Sequence, residues 1–117
     1  MRPWRSLMEG NHADGIEVDG RYVGDIDVEY FPEAHKVEIT VFIGDRTERG
    51  KGYGSESVRL VLEELRSEPG VDDVEVDAAK GNDRALGFWK RLDFQQCRTD
   101  DDGRRWFRRA VQDKQEA

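Results

Sequence analysis

One segment constrains the fold of this chain more than any other. Over residues 41–58, an apolar strand runs into a polar turn, three glycines at alternate positions, and an amphipathic helix. The glycines, Gly50, Gly52 and Gly54, lack a Cβ, so a ligand can approach the backbone amides closely. The first helical turn adds N–H groups without intrahelical partners, at the positive end of the helix dipole. The pattern predicts a phosphate or pyrophosphate site at a helix N-terminus.

Two stretches have the i, i+3, i+4, i+7 period of an amphipathic helix. The apolar positions of the first are Val58, Val61, Leu62 and Leu65, and those of the second are Ala85, Phe88, Trp89 and Leu92. Between them, Val74, Val76 and Ala78 alternate as in a strand. That strand follows a helical crossover, so it is expected to lie parallel to the strand before the glycines.

The remaining segments alternate as strands do. An antiparallel meander is predicted over residues 15–43, with a tight turn at Asp19-Gly20, and a terminal hairpin over residues 94–109. The whole pattern predicts a mixed α/β sheet: an antiparallel meander followed by β-α-β-α-β-β. We expect one domain over residues 1–117, with an irregular N-terminus at 1–14 and a frayed tail at 112–117.

Two common glycine loops do not fit the segment. A P-loop requires Ser or Thr directly after its lysine, but Lys51 is followed by Gly52. A Rossmann loop requires glycines at its first, third and sixth positions, whereas these fall at the first, third and fifth. A different phosphate-binding loop is therefore needed.

The loop resembles that of the GNAT superfamily of acetyltransferases. Residues 49–54, Arg-Gly-Lys-Gly-Tyr-Gly, match its Arg/Gln-x-x-Gly-x-Gly/Ala pattern, and residues 82–94 resemble its Asn-x-x-Ala-x-x-x-Tyr/Trp-x-x-x-Gly-Phe segment. The likeness spans roughly residues 15–110. It is nearest to the ribosomal-protein, spermidine and aminoglycoside acetyltransferases, in which an Asp-Gly-Arg turn, here at 102–104, follows the second motif.

The resemblance implies a GNAT fold with its N-terminal strand and helices truncated. It also implies an N-acetyltransferase in which a primary amine of a small molecule, protein or peptide directly attacks the acetyl group of acetyl-CoA. Pyrophosphate would bind the loop amides, and pantetheine the end of the strand and Asn82. The cofactor-binding residues carried over are Phe42, Ile43, Gly44, Arg49, Gly50, Lys51, Gly52, Tyr53, Gly54, Asn82 and Trp89. The alternative interpretation is that the glycines only form a turn and that Asn82 only caps a helix.

The catalytic residues are less well marked. Glu38 occupies the position of a catalytic glutamate in the histone-type branch of the family and is the predicted general base. The alternatives are an ordinary surface role for Glu38, or a base among Asp27, Glu29 and Asp77. Trp89 stands where many members carry an acidic tyrosine, and an indole N–H only donates hydrogen bonds. Water or Tyr53 would then protonate the departing thiolate.

Two further departures leave other functions open. Asp93 replaces the glycine before the motif's phenylalanine, a position where aspartate tolerates a left-handed turn. The N-terminal region is short, so a second subunit is one way to complete the acceptor site as a homodimer. The alternative functions are a catalytically inactive acyl-CoA-binding protein and a dimeric interaction module.

The charge pattern bears on partners. The formal net charge is −7, and no basic patch of the kind that binds nucleic acid is evident. Acidic residues crowd the first 40 positions, whereas basic residues cluster around the two motifs. This arrangement suits a cationic acceptor and the phosphates of CoA, although solvated charged faces are the simpler interpretation.

The apolar residues, the single cysteine and the two histidines bear on cellular location and on metal binding. The chain has no long apolar run and no leader-like start, so we expect a cytoplasmic protein that does not contact membranes. The lone Cys97 is expected to be an inert, packed thiol in a reducing compartment. The two histidines, His12 and His35, have no metal-ligand spacing, so no metal is expected.

Overall fold

The computed structural model describes residues 10–44 and 50–111. The strands are β1 (Gly10–Val18), β2 (Arg21–Phe31), β3 (Lys36–Ile43), β4 (Asp73–Ala78), β5 (Gln95–Thr99) and β6 (Arg105–Ala110), and the helices are α1 (Tyr53–Leu65) and α2 (Asp83–Arg91). A single turn of 3-10 helix, Pro32–Ala34, separates β2 from β3. The described strands form one sheet in the order β1-β2-β3-β4-β6-β5.

The predicted mixed sheet is confirmed. Strand β3 is parallel to β4, and every other neighbouring pair is antiparallel. The Asp19-Gly20 turn has positive φ at both residues, 52° and 79°, as a two-residue hairpin of this sequence requires. The terminal hairpin forms β5 and β6.

Both helices pack on one face of the sheet. The apolar stripe predicted for α1 is buried, and Trp89 and Leu92 of α2 are buried with it in one core. Strand residues that alternate toward this core include Ile26, Val28, Val37, Ile39, Val74, Val76 and Phe107. The opposite side, here called the distal face, carries the cross-strand neighbours Glu29, Glu38, Glu75 and Arg108. In the described part of the chain, no helix covers the distal face.

Two sequence expectations are wrong. Strand β1 begins at Gly10, inside the segment expected to be irregular, because the long strand β2 pairs with it through backbone groups that do not depend on apolar alternation. Cys97 is exposed rather than packed, since β5 is an edge strand whose five residues are all exposed. Among the described residues, no helix is long and apolar enough to span a membrane.

Candidate functional site

The candidate site is the gap where β3 and β4 separate. Their backbone pairing is confined to Lys36–Glu38 against Asp73–Glu75, although β3 continues to Ile43 and β4 to Ala78. Beyond the last pair, Glu38 with Glu75, the strands enclose a groove of about 760 Å³. The resemblance implied that these two strands separate in this way, and they do.

Most of the predicted cofactor-binding residues line this groove. They are Phe42, Ile43, Gly50, Gly52, Tyr53, Gly54, Asn82 and Trp89. Gly44 and Lys51 are next to lining residues in the chain but do not line the groove themselves. Arg49 lies outside the described residues, and Glu38 is not part of the lining. The lining also includes Thr40, Asp77, Phe88 and Arg104, which sequence reasoning did not place at the cofactor site.

The start of α1 has the geometry of an anion site. Gly50 and Gly52 both adopt left-handed backbone conformations, with φ of 79° and 87°. The first intrahelical bond runs from the Glu56 N–H to the Gly52 carbonyl, at 3.0 Å. The N–H groups at positions 53–55 therefore precede the helical ladder, at the positive end of the helix dipole. This end of the groove can bind a phosphate through main-chain donors.

Gly54 has a different role from the two glycines before it. Its backbone is helical and buried, and a Cβ built there would lie 3.5 Å from the Phe88 ring and 4.0 Å from Ile43 Cγ1. These are ordinary contact distances. Gly54 therefore brings the first turn of α1 close to α2 and β3, at the inner wall of the groove.

Two polar side chains of α2 are already engaged. The Asn82 Oδ1 accepts a hydrogen bond from the Ala85 N–H at 3.1 Å and caps the helix. The Trp89 indole N–H donates to the Asp77 carbonyl at 3.3 Å, and its ring meets Phe88 and Phe94 edge to face. The cap leaves the Asn82 Nδ2 as the donor that this side chain can offer a ligand, whereas the one indole N–H of Trp89 is used within the fold.

The end of β3 borders the groove and is also hydrogen-bonded to β2. The Gly44 N–H donates to the Val23 carbonyl at 2.9 Å, so this amide is used within the sheet. Phe42 is 56% exposed on the distal face, and Ile43 is half-buried toward the helices. Their main-chain atoms form one wall of the groove.

The candidate bases differ in position. Glu38 lies at the last paired residue of β3, on the distal face, and forms an ion pair with Lys36 at 3.2 Å. Asp77 lies further along β4, inside the groove lining, and forms an ion pair with Arg104 at 2.7 Å. Asp27 and Glu29 lie on β2, outside the lining. Of the four carboxylates considered, Asp77 is the one that borders the groove directly.

A cluster of charged side chains lies where the pairing of β3 and β4 ends, at the closed end of the groove. Glu75 is 2% exposed and receives hydrogen bonds from Lys36, Arg98 and Arg108, at 3.0 Å each for the closest contacts. Burial alone would raise the pKa of Glu75, but these three donors outweigh it and lower the pKa to about 2. The carboxylate is thus ionised at neutral pH and joins four neighbouring strands at the point where β3 and β4 part. We call Glu75, Lys36, Arg98 and Arg108 the vertex cluster.

The groove walls carry positive charge. Arg84 and Arg91 of α2 and Arg104, which precedes β6, all contribute to the lining. The sequence had placed basic residues around the two motifs, and this expectation is met for Arg84 and Arg91. Arg104 belongs to the Asp-Gly-Arg turn at 102–104, which was noted as a motif but not as a site. The turn brings its guanidinium to the groove through the ion pair with Asp77.

Comparison with solved structures gives the same architecture. A domain from Methanocaldococcus jannaschii superposes with a TM-score of 0.77 at 22% identity, covering 92% of this chain and 70% of that one. The aminoglycoside acetyltransferase AAC(6')-Ib in complex with coenzyme A gives 0.74 at 19% identity, covering 87% and 67%. RimL, a ribosomal-protein alpha-N-acetyltransferase in complex with coenzyme A, gives 0.77 at 12% identity, covering 86% and 62%. At these identities the likeness concerns the fold.

Sequence comparison identifies the family. No curated protein sequence matches this chain significantly. The sequence model of the Acetyltransferase (GNAT) family, however, matches residues 2–94, which is most of the chain. The described sheet and helices agree with that fold. The chain therefore belongs to the GNAT family of acetyltransferases, whose members transfer an acyl group from acyl-CoA to an amine.

Proposed function

We propose that this protein transfers an acetyl group from acetyl-CoA to a primary amine by direct attack of the neutral amine on the thioester. The observation that carries the proposal is the groove between β3 and β4, which meets the glycine loop and the first turn of α1, whose amides precede the helical ladder, at one end. Acetyl-CoA carries a diphosphate next to a long, neutral pantetheine arm. The start of α1 suits the diphosphate, and the adjoining groove suits the arm. Arginines in the lining add charge complementary to phosphate.

The glycine loop would bind the diphosphate of the cosubstrate. Main-chain N–H groups at positions 50–55 supply the donors, and Gly50 and Gly52 permit the left-handed turns that direct them. The Asn82 Nδ2 and the main chain of Phe42 and Ile43 would bind the pantetheine arm. Lys51 and Arg49 flank the loop in sequence and would add charge.

Asp77 is favoured over Glu38 as the general base. A base must reach the ammonium proton directly or through one water molecule. Asp77 borders the groove, whereas Glu38 lies outside its lining and is paired with Lys36. The pairing of Asp77 with Arg104 holds the carboxylate in position at 2.7 Å. Glu38 remains the second candidate, acting through water from the vertex of the gap.

The acceptor would be a cationic amine. Asp25, Asp27 and Glu29 follow one another at alternate positions of β2, so they share a face with Glu38. Negative charge beside the groove raises the local concentration of a cation. Both a small-molecule amine and the N-terminus of a peptide satisfy this requirement.

The departing thiolate needs little assistance. A thiol has an unperturbed pKa of about 8.5, so its thiolate is a tolerable leaving group near neutral pH. Trp89 cannot protonate it, because the indole N–H does not ionise and is bound to the Asp77 carbonyl. Tyr53, which is half-buried in the lining, or water would donate the proton.

One experiment separates transfer from binding alone. The protein would be incubated with acetyl-CoA and a panel of amines (spermidine, an aminoglycoside, N-terminal peptides) while free thiol is followed. Amine-dependent thiol release supports the proposal. Saturable CoA binding without release would instead support the acyl-CoA-binding alternative, which the engaged indole of Trp89 favours. The absence of any CoA binding would contradict both.

Three matched variants identify the base. We expect Asp77→Asn to lower kcat about 100-fold, the usual scale of a general base. Glu38→Gln and Glu29→Gln remove a carboxylate from the same face, outside the groove lining, and are expected to change kcat only a few-fold. A large effect of Glu38→Gln with normal turnover by Asp77→Asn would reverse the assignment.

A further inference from the structure

Gly24 of β2 occupies a position that no other residue can fill without moving the backbone. It is buried, and it pairs with Ile43 of β3 and Ile16 of β1. A Cβ built on Gly24 would lie 2.0 Å from the Phe42 carbonyl oxygen and 2.9 Å from Ile43 Cα. Real Cβ atoms do not approach other atoms so closely. Because both neighbours are main-chain atoms, no rotamer change can relieve the overlap.

The same point of β2 carries an irregularity. In the β1–β2 pair, Gly24 faces Ile16 but Tyr22 faces Glu17, so Val23 is an extra residue on the β2 side. Such a bulge bends its strand and increases the local twist. The carbonyl of the extra residue, Val23, accepts the Gly44 N–H at 2.9 Å. The end of β3 is therefore fixed to the bulged part of β2.

This hydrogen bond explains why the end of β3 follows β2 and separates from β4. Strand β3 pairs with β4 only as far as Glu38, and its last residues lie close against β2 at Gly24. Phe42 and Ile43 are both the residues that pack on Gly24 and residues that line the groove. A side chain at position 24 would push their main chain away from β2 and so change the width of the gap.

We infer that Gly24 is a positioning residue for the coenzyme groove. Its missing side chain lets the main chain of Phe42 and Ile43 follow the bulge of β2, and this fixes the wall along which the pantetheine arm lies. The identity of the ligand rests on the function proposed above. The geometric part of the inference, that Gly24 and Val23 hold the end of β3 before any ligand binds, does not.

The test uses Gly24→Ala and two matched glycine variants. Gly70→Ala also creates an overlap, 2.4 Å from the Tyr30 hydroxyl, but in the turn between α1 and β4, outside the groove lining. Gly15→Ala, on β1, would make only ordinary contacts at 3.5 Å with the Tyr22 ring. The affinity for CoA would be measured by titration calorimetry, with thermal unfolding recorded for each protein.

We expect Gly24→Ala to weaken CoA binding about tenfold or more, because the overlap must displace the main chain of Phe42 and Ile43, which forms the wall of the groove. Gly70→Ala is expected to bind CoA within about twofold of the wild type even where it unfolds at a lower temperature, and Gly15→Ala likewise. Wild-type affinity in Gly24→Ala would overturn the inference. An equal loss in Gly70→Ala would also overturn it, because the effect would then follow stability rather than position.

A measurement on the wild-type protein decides the geometric part should Gly24→Ala fail to fold. We expect the Gly44 amide hydrogen to exchange slowly in the protein without ligand, since its bond to the Val23 carbonyl already exists there. Unprotected exchange that becomes slow only on adding CoA would overturn the inference. A wild-type protein with a protected Gly44 amide and no affinity for CoA would contradict the proposed function and leave the role of Gly24 in shaping the sheet intact.

Discussion

The two ends of the β3–β4 pair differ in how their polar groups are satisfied. At the closed end, Lys36–Glu38 pairs with Asp73–Glu75, and the vertex cluster joins their side chains to β5 and β6. At the open end the strands part, and the groove is lined by β3, the start of α1, and α2. Main-chain groups that leave a ladder need other partners. One end is therefore stabilised by the protein alone, while the other offers its polar groups to a ligand or to water.

The closed end contributes to stability, whereas the open end contributes to ligand binding and turnover. The closed end holds a buried carboxylate with three charged partners, and these bonds do not involve the groove. The open end holds glycines in left-handed conformations and a carboxylate that faces the groove. Changes at the closed end should appear first as lost stability, and changes at the open end as lost affinity or turnover.

Removing the charge at the centre of the closed end should have the largest effect on stability. The pKa of Glu75 is lowered from 4.5 to about 2, a shift that corresponds to about 3 kcal/mol. We expect Glu75→Gln to lower the free energy of unfolding by about 3 kcal/mol, because three cations then lose their shared anion. Urea unfolding at pH 7 measures the change. Glu63→Gln, which removes an exposed ion pair with Arg66, serves as a control and should cost less than about 0.5 kcal/mol.

The wild type and Glu75→Gln should also differ in how their free energy of unfolding depends on pH, in a direction that the pKa shift defines. Because the folded-state pKa of Glu75 lies below its unfolded value, its contribution is fully present above pH 4.5 and is lost as the pH falls toward 2. The difference in unfolding free energy between the wild type and Glu75→Gln should therefore shrink over this window. A difference that stays constant from pH 5 down to about pH 2 would mean that Glu75 does not carry the stabilising charge.

At the open end, Gly52→Ala should mainly affect ligand binding. Gly52 has φ of 87°, where a Cβ costs roughly 1–2 kcal/mol. The turn is expected to relax away from this conformation, which misdirects the loop amides and weakens CoA binding by about tenfold. Gly20→Ala is a close control, since its φ is 79° and a Cβ at either glycine would meet nothing within 4 Å. It should lose similar stability and bind CoA normally, and equal affinities for the two variants would contradict the loop's role.

Sequence reasoning was most successful where the pattern is local. The helix that begins after the glycines, the apolar stripes of both helices, and the Asp19-Gly20 turn each depend on residues within a few positions, and the structure has these three features. The same is true of the left-handed Asp93, with φ of 70°. These features follow from the period of the apolar residues and from the conformations that glycine and aspartate tolerate.

Features that depend on distant partners were missed. Glu75 alternates with Val74 and Val76 and so has the pattern of a solvated strand residue, yet it is buried by arginines 23 and 33 positions away in the chain. Asp77 was only one of several candidate bases, since its neighbour Arg104 comes from a turn 27 positions later. Gly24 had no distinguishing pattern at all, because its role depends on how closely β3 crosses it. None of these contacts has a local period that a sequence could display.

Trp89 connects the core to the open end, and its substitution tests whether it has any part in the chemistry. Its buried ring packs on Phe94, and its N–H binds the Asp77 carbonyl. We expect Trp89→Phe to cost about 1 kcal/mol through the lost hydrogen bond, in addition to the packing lost when a smaller ring replaces the buried indole. The pH dependence of kcat should keep its shape, because no ionising group is removed. A displaced or missing limb in the pH–rate profile would indicate a catalytic role for the indole.

The smallest effect is expected at the end of α2, the helix that forms one wall of the groove. Its last turn has the two bonds of a Schellman motif: the Phe94 N–H reaches the Trp89 carbonyl at 3.1 Å, and the Asp93 N–H reaches the Lys90 carbonyl at 3.0 Å. The contact between the Phe94 and Trp89 rings is the apolar contact that accompanies such a motif. Asp93 is thus held at φ of 70° by the structure on both sides.

Glycine at this position should therefore stabilise the protein. An L-residue in the left-handed region costs about 1 kcal/mol, and part of the gain on changing to glycine is offset by the greater freedom of the unfolded chain. We expect Asp93→Gly to raise the free energy of unfolding by about 0.5 kcal/mol, measured by urea unfolding. Asp93→Ala should lower it, since alanine tolerates the left-handed region less well than aspartate. CoA affinity should not change in either variant, because Asp93 is exposed and lies outside the groove lining, and the two bonds of the motif are main-chain bonds that both variants keep. If Asp93→Gly instead lowered stability, the aspartate would have to make a contact that outweighs the strain of its backbone.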